Sequence, residues 1–361
     1  MATFAESLRT ALVRPGSDEG PVIRLVEQRE PRPVDHVVAQ WMAGDDASMG
    51  SALGHLNRCS VAILQHEYGV FGGPDGDEVL DLMDGLTIPC IVVLHTVLTA
   101  PTTHQREVLE AVVDKAAAVV VMTATARDRL VAGYAVDIAK LSIIAHGAPP
   151  IAPSIRTASP VFRTGQPTIL TWGLLGPGKG IEWGIEAMAM LRDLSPMPRY
   201  VVAGQTHPKV LLREGEAYRN ALRDRVRTLG LADAVTFEGH YRDSAALSRL
   251  VSSADVVLLP YDSTDQVTSG VLIEAVAAGK PVVATGFPHA TELLSDGAGL
   301  IVAHGDPTAI AAALRSVLTS GALAANMAGI AAASAPRLLW PAIAEQYRTL
   351  AARLVRERVA A

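Results

Sequence analysis

Cysteine and aromatic residues are scarce in this sequence. Cys59 and Cys90 are the only cysteines among 361 residues, and aromatic residues make up 4% of the chain. Two cysteines form neither a disulfide scaffold nor a cysteine-rich zinc site, which favours a reducing, cytoplasmic location. With so few aromatic rings, the cores are expected to consist of Ala, Val, Leu and Ile side chains.

Long apolar runs and a leader pattern are lacking too. No uncharged apolar run reaches the roughly 18 residues that a membrane-spanning helix requires. The N-terminus has no basic start followed by an apolar core, so no signal peptide is expected. A membrane span is therefore not predicted, whereas peripheral contact with a membrane surface stays open.

Positive charge does not predominate. The chain has 31 Lys and Arg against 37 Asp and Glu, a formal net charge of −6, and no basic block interleaved with aromatics. This balance argues against nucleic acid as the main partner. The ten histidines show no zinc-type spacing, and the acid pair of Asp75–Asp77 is too short a pattern to predict a metal site.

Short apolar runs alternate with amphipathic helical stretches along the chain. Its length favours two domains, and the alternation predicts the α/β fold class with doubly wound parallel sheets. The segment His146–Pro167 is rich in Pro, Ser and Thr, which is typical of a linker. It separates a first domain of residues 1–150 from a second domain of residues 160–337.

Unusual polar residues follow the predicted strands. His66 and Glu67 follow the strand-like run Val61–Gln65, and His95 follows Ile91–Leu94. Ligands of open parallel sheets bind outside the carboxyl ends of the strands. We therefore expect the functional edges of two Rossmann-like sheets to face a cleft between the domains.

Glu274 is the most informative residue. It is the only polar residue between Val271 and Ala278, in a predicted buried helix that begins at Thr268–Gly270. A buried carboxylate is costly unless something pairs with it, and a helix N-terminus with Ser and Thr caps can bind an anion. The combination suggests a nucleoside diphosphate, with its phosphates at the helix start and its ribose hydroxyls on Glu274.

Several segments resemble the retaining GT-B glycosyltransferases of family 4. Trp172–Gly180 is similar to the donor-phosphate loop of that family, and Gln266–Glu274 to its signature of two acids eight positions apart. Leu94–Thr96 resembles the active-site histidine segment, and Ile144–Gly147 the segment that closes the first domain. Gln65–Gly73 is similar to a bacterial subgroup of mannosyl- and glucosyltransferases.

The resemblance implies a fold, an activity and a set of site residues. It implies the GT-B architecture, with residues 338–361 crossing back onto the first domain, and transfer of a hexose from a GDP-mannose or UDP-glucose type donor. The acceptor would be a hydroxyl on a glycan, a lipid or a small molecule, and no metal or other cofactor is expected. The implied catalytic residues are His95, Lys179 and Gln266; the donor-binding residues are Gly173, Lys179, Tyr241, Arg242, Thr268, Ser269, Gly270 and Glu274; the acceptor-side residues are His66 and Glu67.

Three departures from the family pattern keep other hypotheses open. The first signature acid is Gln266, and the arginine expected after the loop glycine is Leu174. The first helix is expected within residues 1–12, so that the family's first strand and its glycine loop are missing. A GT-B module that binds nucleotide or glycan without turnover is therefore the alternative, and a GT-B sugar epimerase is a third hypothesis.

Overall fold

The computed structural model of the chain describes residues 1–14, 20–30, 36–150, 165–240 and 242–360. Strands and helices alternate along most of these ranges. The strands are β1 Val22–Val26, β2 Val37–Met42, β3 Ala62–His66, β4 Cys90–Leu94, β5 Ala118–Val121, β6 Leu141–Ile143, β7 Thr168–Trp172, β8 Arg199–Ala203, β9 Val235–Glu238, β10 Val256–Leu259, β11 Val282–Thr285 and β12 Gly299–Val302.

The helices pack around these strands. They are α1 Ala2–Leu12, α2 Asp46–Leu56, α3 Val79–Asp84, α4 Thr103–Lys115, α5 Ala124–Gly133, α6 Ile181–Ala189, α7 Pro208–Glu214, α8 Ala217–Thr228, α9 Ser244–Ser253, α10 Gly270–Ala277, α11 Pro288–Leu293, α12 Pro307–Thr319, α13 Gly321–Leu338 and α14 Trp340–Ala360. The chain divides into two compact units: unit 1 comprises Met1–Gly147 and Trp340–Ala361, and unit 2 comprises Ala148–Leu339.

Unit 1 contains a four-stranded parallel sheet in the order β3-β4-β5-β6 and a separate parallel pair, β1-β2. Every residue of β4 and β5 is buried, as expected for parallel strands covered on both faces. The C-terminal helix α14 completes the core of this unit: Trp340 and Tyr347 pack in one cluster with Phe4 of α1 and Ile91 of β4.

Unit 2 contains a six-stranded parallel sheet in the order β12-β11-β10-β7-β8-β9. The chain runs outward from β7 through β8 to β9 and then returns to β10, on the other side of β7. The strand order therefore reverses between β7 and β10. In doubly wound sheets such a switch point leaves a crevice at the carboxyl ends of the two strands, where ligands bind.

The apolar helices of unit 2 pack into the core of that unit. Among the described residues, no single helix combines the length and the apolar character needed to cross a membrane. The bent pair α12 and α13 meets these requirements of length and apolar character only when both helices are counted together. Ile310, Leu314 and Met327 of this pair are buried in the core of unit 2.

Candidate functional site

The switch point of unit 2 leads into a segment that we call the glycine loop, residues 173–180. It follows β7, and its Gly178 carbonyl accepts a hydrogen bond from the amide of Asp262 at 3.0 Å, just after β10. Gly180 has φ +60°, and a Cβ there would lie 1.7 Å from the Pro260 carbonyl oxygen. Only glycine fits at this approach, so the loop is fixed against the neighbouring strand.

Helix α10 begins beside this loop. Ser269 is its N-cap, with Oγ accepting from the amide of Leu272 at 3.3 Å, so the predicted helix start is confirmed. The Ser269 amide donates to His289 Nδ1 at 2.7 Å. The first amides of a helix have no intrahelical acceptor, and the helix dipole favours an anion there.

Thr268, one residue before the N-cap, brings a hydroxyl to the same place. Its Oγ1 is buried and has no hydrogen-bond partner among the residues that the structure describes. Buried hydroxyls nearly always have a partner. The start of α10 therefore offers backbone amides together with one unused side-chain donor.

Glu274 lies one turn into α10 and has a defined partner. Trp172, the last residue of β7, donates from Nε1 to Glu274 Oε2 at 3.1 Å. Burial raises the pKa of the Glu274 carboxyl, and the Trp172 hydrogen bond opposes that rise in pKa only partly. This carboxylate also lines a solvent-open pocket with an empty volume of about 300 Å³, together with Ser244, Leu247 and Ser248 of α9.

Lys179 supplies positive charge at the same edge of the sheet. Its Nζ lies 4.2 Å from the ring centroid of Tyr261, a cation–π contact. No ion pair of Lys179 occurs within the described ranges, and burial lowers the pKa of its amine. A partly buried ammonium without a carboxylate partner is suited to an anionic ligand.

Tyr261 connects the elements of this site, although no sequence motif indicates it. Its ring is 1% exposed. Burial raises the pKa of its hydroxyl, and the Ser269 side chain opposes that rise in pKa. Its backbone carbonyl accepts from Thr285 Oγ1 at 2.6 Å and from His304 Nδ1 at 2.8 Å. The buried side chain of Tyr261 thus contacts the Lys179 ammonium and interacts with Ser269, the N-cap of α10.

The other predicted donor residues occupy varied places. Gly173 has φ +122°, and a Cβ there would lie 3.5 Å from Val271 Cγ2, so the loop glycine is close to α10. Gln266 Nε2 donates to the Thr268 carbonyl at 3.0 Å. Arg242 is ion-paired with Glu238. Tyr241 lies outside the described residues.

In unit 1 the structure brings His95, His66 and Glu67 together at the ends of β3 and β4. The amide of His95 donates to the His66 carbonyl at 3.1 Å. His95 Nε2 is 2.8 Å from Gln65 Oε1. Because a carbonyl oxygen can only accept, Nε2 carries the proton and Nδ1 is left as an acceptor.

His95 is neutral at physiological pH. Burial, aided by the positive N-terminus and by His146 and His66, lowers its pKa to about 3. Its ring also meets Phe4 edge-on, with the centroids 5.0 Å apart. The side chain can therefore accept a hydrogen bond from a ligand hydroxyl, but it cannot supply a cation.

His66 differs from the sequence expectation. It is the last residue of β3 rather than a residue beyond the strand, and its ring is 1% exposed, between Tyr68 and Phe71. Burial lowers its pKa to about 4, and within the described ranges its Nδ1 has no hydrogen-bond partner. The aromatic contacts explain why a neutral imidazole packs in this place.

Glu67 is the polar residue beyond β3. Its Oε2 accepts from Thr96 Oγ1 at 2.7 Å, and its Oε1 accepts from the Tyr68 amide at 3.1 Å. These hydrogen bonds fix the carboxylate between the segments that follow β3 and β4. Sequence spacing indicated Glu67 but not Thr96 or Gln65, because those contacts join residues about 30 positions apart.

The chain is similar in sequence and fold to known glycosyltransferases. Residues 166–320 match the family model described as Glycosyl transferases group 1. Over 246 residues the chain is 32% identical to the D-inositol 3-phosphate glycosyltransferase of Stackebrandtia nassauensis, a match that covers 64% of this chain and 53% of that protein. The chain thus spans about half the length of this curated relative.

Two solved structures are similar in fold. Alr3699/HepE of Anabaena, in complex with UDP, has a TM-score of 0.69 at 19% identity and covers 88% of this chain and 87% of its own. Sucrose-phosphate synthase of Thermosynechococcus elongatus has a TM-score of 0.74 at 20% identity and covers 98% of this chain and 93% of its own. Together with the family model, they confirm the predicted α/β fold class and the resemblance to GT-B glycosyltransferases of the family 4 type.

Proposed function

We propose that this protein transfers a hexose from a nucleoside diphosphate sugar to a hydroxyl acceptor, because residues 166–320 match the family model described as Glycosyl transferases group 1 and the fold is similar to that of GT-B glycosyltransferases. The donor would be of the GDP-mannose or UDP-glucose type, and the anomeric configuration would be retained. The acceptor would be a sugar, a lipid or a small polyol.

The arrangement at the switch point of unit 2 carries this proposal. The α10 amides and the Lys179 ammonium would bind the diphosphate, and Glu274 would accept hydrogen bonds from the ribose hydroxyls. Trp172 keeps the Glu274 carboxylate oriented through its 3.1 Å hydrogen bond. A diphosphate would also supply the partner that the buried Thr268 hydroxyl lacks.

The chemistry requires stabilisation of the departing diphosphate. Negative charge grows on the leaving group, and preorganised donors aimed at that charge lower the barrier. Lys179 and the start of α10 would supply this stabilisation without a metal ion. His95, neutral and oriented by Gln65, would hydrogen-bond a hydroxyl of the transferred sugar, and Glu67 would contact the acceptor. His66, buried between Tyr68 and Phe71, would affect the acceptor side only through packing.

Ligand-induced thermal stabilisation tests the donor site first. GDP, UDP and ADP would be compared on the wild type and on Glu274→Ala. A ligand at 100 times its dissociation constant stabilises a protein by roughly 2.7 kcal/mol. We expect one nucleotide to stabilise the wild type but not the variant, and absence of any shift with all three would contradict the proposal.

Turnover and stereochemistry are tested next. The matching nucleoside diphosphate sugar would be incubated with an acceptor panel, and NMR would identify the anomer formed. The panel includes D-inositol 3-phosphate, because the relative of S. nassauensis is named for it. Activity that survives chelation of divalent ions would support the metal-independent mechanism.

A binding module without turnover is the second candidate. Leu174 stands where the family has a phosphate-neutralising arginine, and its side chain is 45% exposed. Gln266 replaces the first signature acid and donates to the Thr268 carbonyl. Tight nucleotide binding without transfer to any acceptor, and without gain of activity in Leu174→Arg, would favour this candidate.

A further inference from the structure

Arg219 of α8 is a buried arginine outside the predicted site. Its side chain is 5% exposed, whereas arginines are almost never fully buried unless they are paired. Nη2 donates to the Gly204 carbonyl at 2.5 Å, and Nε donates to Glu216 Oε2 at 3.2 Å. Thr206 Oγ1 donates to the same Glu216 oxygen at 2.5 Å and lies 3.4 Å from Arg219 Nε.

These three side chains fix the segment that follows β8, and the start of the glycine loop is hydrogen-bonded to that segment. The amide of Gly173 donates to the Ala203 carbonyl at 3.0 Å, and the amide of Leu175 donates to the Gln205 carbonyl at 2.8 Å. The amide of His207 returns a hydrogen bond to the Leu175 carbonyl at 2.8 Å. The start of the glycine loop is therefore held by backbone hydrogen bonds along residues 203–207.

Gly204 is the point where the two segments touch most closely. Its φ is +146°, and a Cβ there would lie 1.8 Å from the Gly173 carbonyl oxygen. The Gly204 carbonyl is also the acceptor for Arg219. One peptide thus lies between the guanidinium and the first glycine of the loop, so a displacement of Gly204 must displace Gly173.

Stability alone does not account for the cluster of Arg219, Thr206 and Glu216. Arg219 Nη1 is buried and has no hydrogen-bond partner in the part of the chain that the structure describes, and an unsatisfied buried donor destabilises the folded state. The planar guanidinium does, however, fix several acceptors in one geometry.

We infer that Arg219, with Thr206 and Glu216, is a positioning residue for the glycine loop, and that it acts on donor-phosphate binding through Gly204. The inference rests on the proposed function of the same unit. Arg219 touches no ligand in this scheme. It sets where Gly173 and the loop beyond it lie, and therefore where Lys179 meets the diphosphate.

The test compares Arg219→Met and Arg219→Lys with two variants of the same helix. Arg223→Lys changes an exposed side chain that hydrogen-bonds to Asn220 of the same helix, while Leu222→Ala removes a core side chain of α8. Calorimetry would measure affinity for UDP and GDP and for the free nucleosides uridine and guanosine. Thermal unfolding would be recorded for all variants.

Arg219→Met is expected to bind the preferred diphosphate about tenfold more weakly, the scale of one hydrogen bond to a charged group. Its nucleoside affinity stays within twofold, because only the phosphates meet the loop. Arg219→Lys recovers part of the loss. Leu222→Ala loses thermal stability but keeps the wild-type ratio of diphosphate to nucleoside affinity, and Arg223→Lys changes neither.

Two outcomes separate the inference from the proposed function. If the wild type binds a diphosphate and folded Arg219→Met binds it equally well, the inference is wrong and the proposed function stands. If the wild type binds none, the proposed function fails. Hydrogen exchange at the Leu175 and His207 amides then still tests the positioning role, because the inference requires faster exchange in Arg219→Met than in Leu222→Ala. Thr206→Val, which removes only the hydroxyl, repeats the test should Arg219→Met not fold.

Discussion

Replacing Glu274 by Gln should stabilise the free protein and weaken its binding of nucleotide. Burial raises the pKa of this carboxyl above its ordinary value of 4.5. Between that value and the folded pKa, the folded state binds more protons than the unfolded state. The free energy of unfolding therefore falls as pH rises through this window, by 1.36 kcal/mol for each unit of the shift, and stays lowered above it.

Glu274→Gln removes this penalty and keeps the shape of the side chain. Its unfolding free energy should match that of the wild type at about pH 4.5 and below, the ordinary pKa of the carboxyl, and exceed it increasingly as the pH rises from that value to the raised folded-state pKa. Urea unfolding at several pH values measures the difference. Asp296→Asn, an exposed acid-to-amide change in the same unit, controls for the loss of one negative charge.

Nucleotide binding should change in the opposite direction. A hydrogen bond to a charged acceptor contributes about 1.5–3 kcal/mol, against roughly 1 for a neutral one. Losing the charge at two ribose hydroxyls should cost about 1–4 kcal/mol, a factor of roughly 5–1000 in the dissociation constant. A variant that is less stable than the wild type at every pH, or that binds nucleotide equally well, would refute the reasoning.

Three further predictions concern single side chains. Lys179→Met should stabilise the free protein at neutral pH, because burial lowers the pKa of the amine and so disfavours its charged form in the folded state. Urea unfolding measures this gain in stability. The affinity for a diphosphate should fall, while the affinity for a nucleoside should not. Thr268→Val should leave the free protein unchanged or slightly more stable, since the Oγ1 has no partner, yet weaken diphosphate binding in calorimetry; equal binding would remove Thr268 from the site. In His66→Phe the gain in unfolding free energy over the wild type should grow by about 3 kcal/mol as pH falls from 6.5 to 4. The buried ring has its pKa lowered to about 4, so the wild type loses stability across that window as the unfolded chain takes up the proton; a pH-independent difference would contradict this.

Local chemistry made much of unit 2 predictable. The N-cap at Ser269 and the apolar run around Glu274 depend on residues that are neighbours in the sequence, so the start of α10 follows from local side-chain preferences. Buried parallel strands such as β10 are continuous apolar runs that stand out from the sequence. The same reasoning did not find β1, whose five residues are all half-buried and show no clear alternation.

Contacts between distant segments were not predictable from the sequence. Trp172 and Glu274 are 102 positions apart, and their hydrogen bond depends on how β7 lies beside α10. Tyr261 carried no motif, and only the fold places its ring under Lys179. The burial of His66 likewise depends on Tyr68 and Phe71 packing against it, which no periodicity in the sequence indicates.

The return of α14 to unit 1 has a consequence for the order in which the chain folds during synthesis. Unit 2 is contiguous from Ala148 to Leu339, so all of its strands can pair as soon as that stretch has left the ribosome. Unit 1 emerges first but lacks Trp340 and Tyr347 from its core until the last helix follows. Its apolar surface around Phe4 therefore stays open throughout translation of the intervening domain, and the nascent chain at that stage offers a binding surface to chaperones.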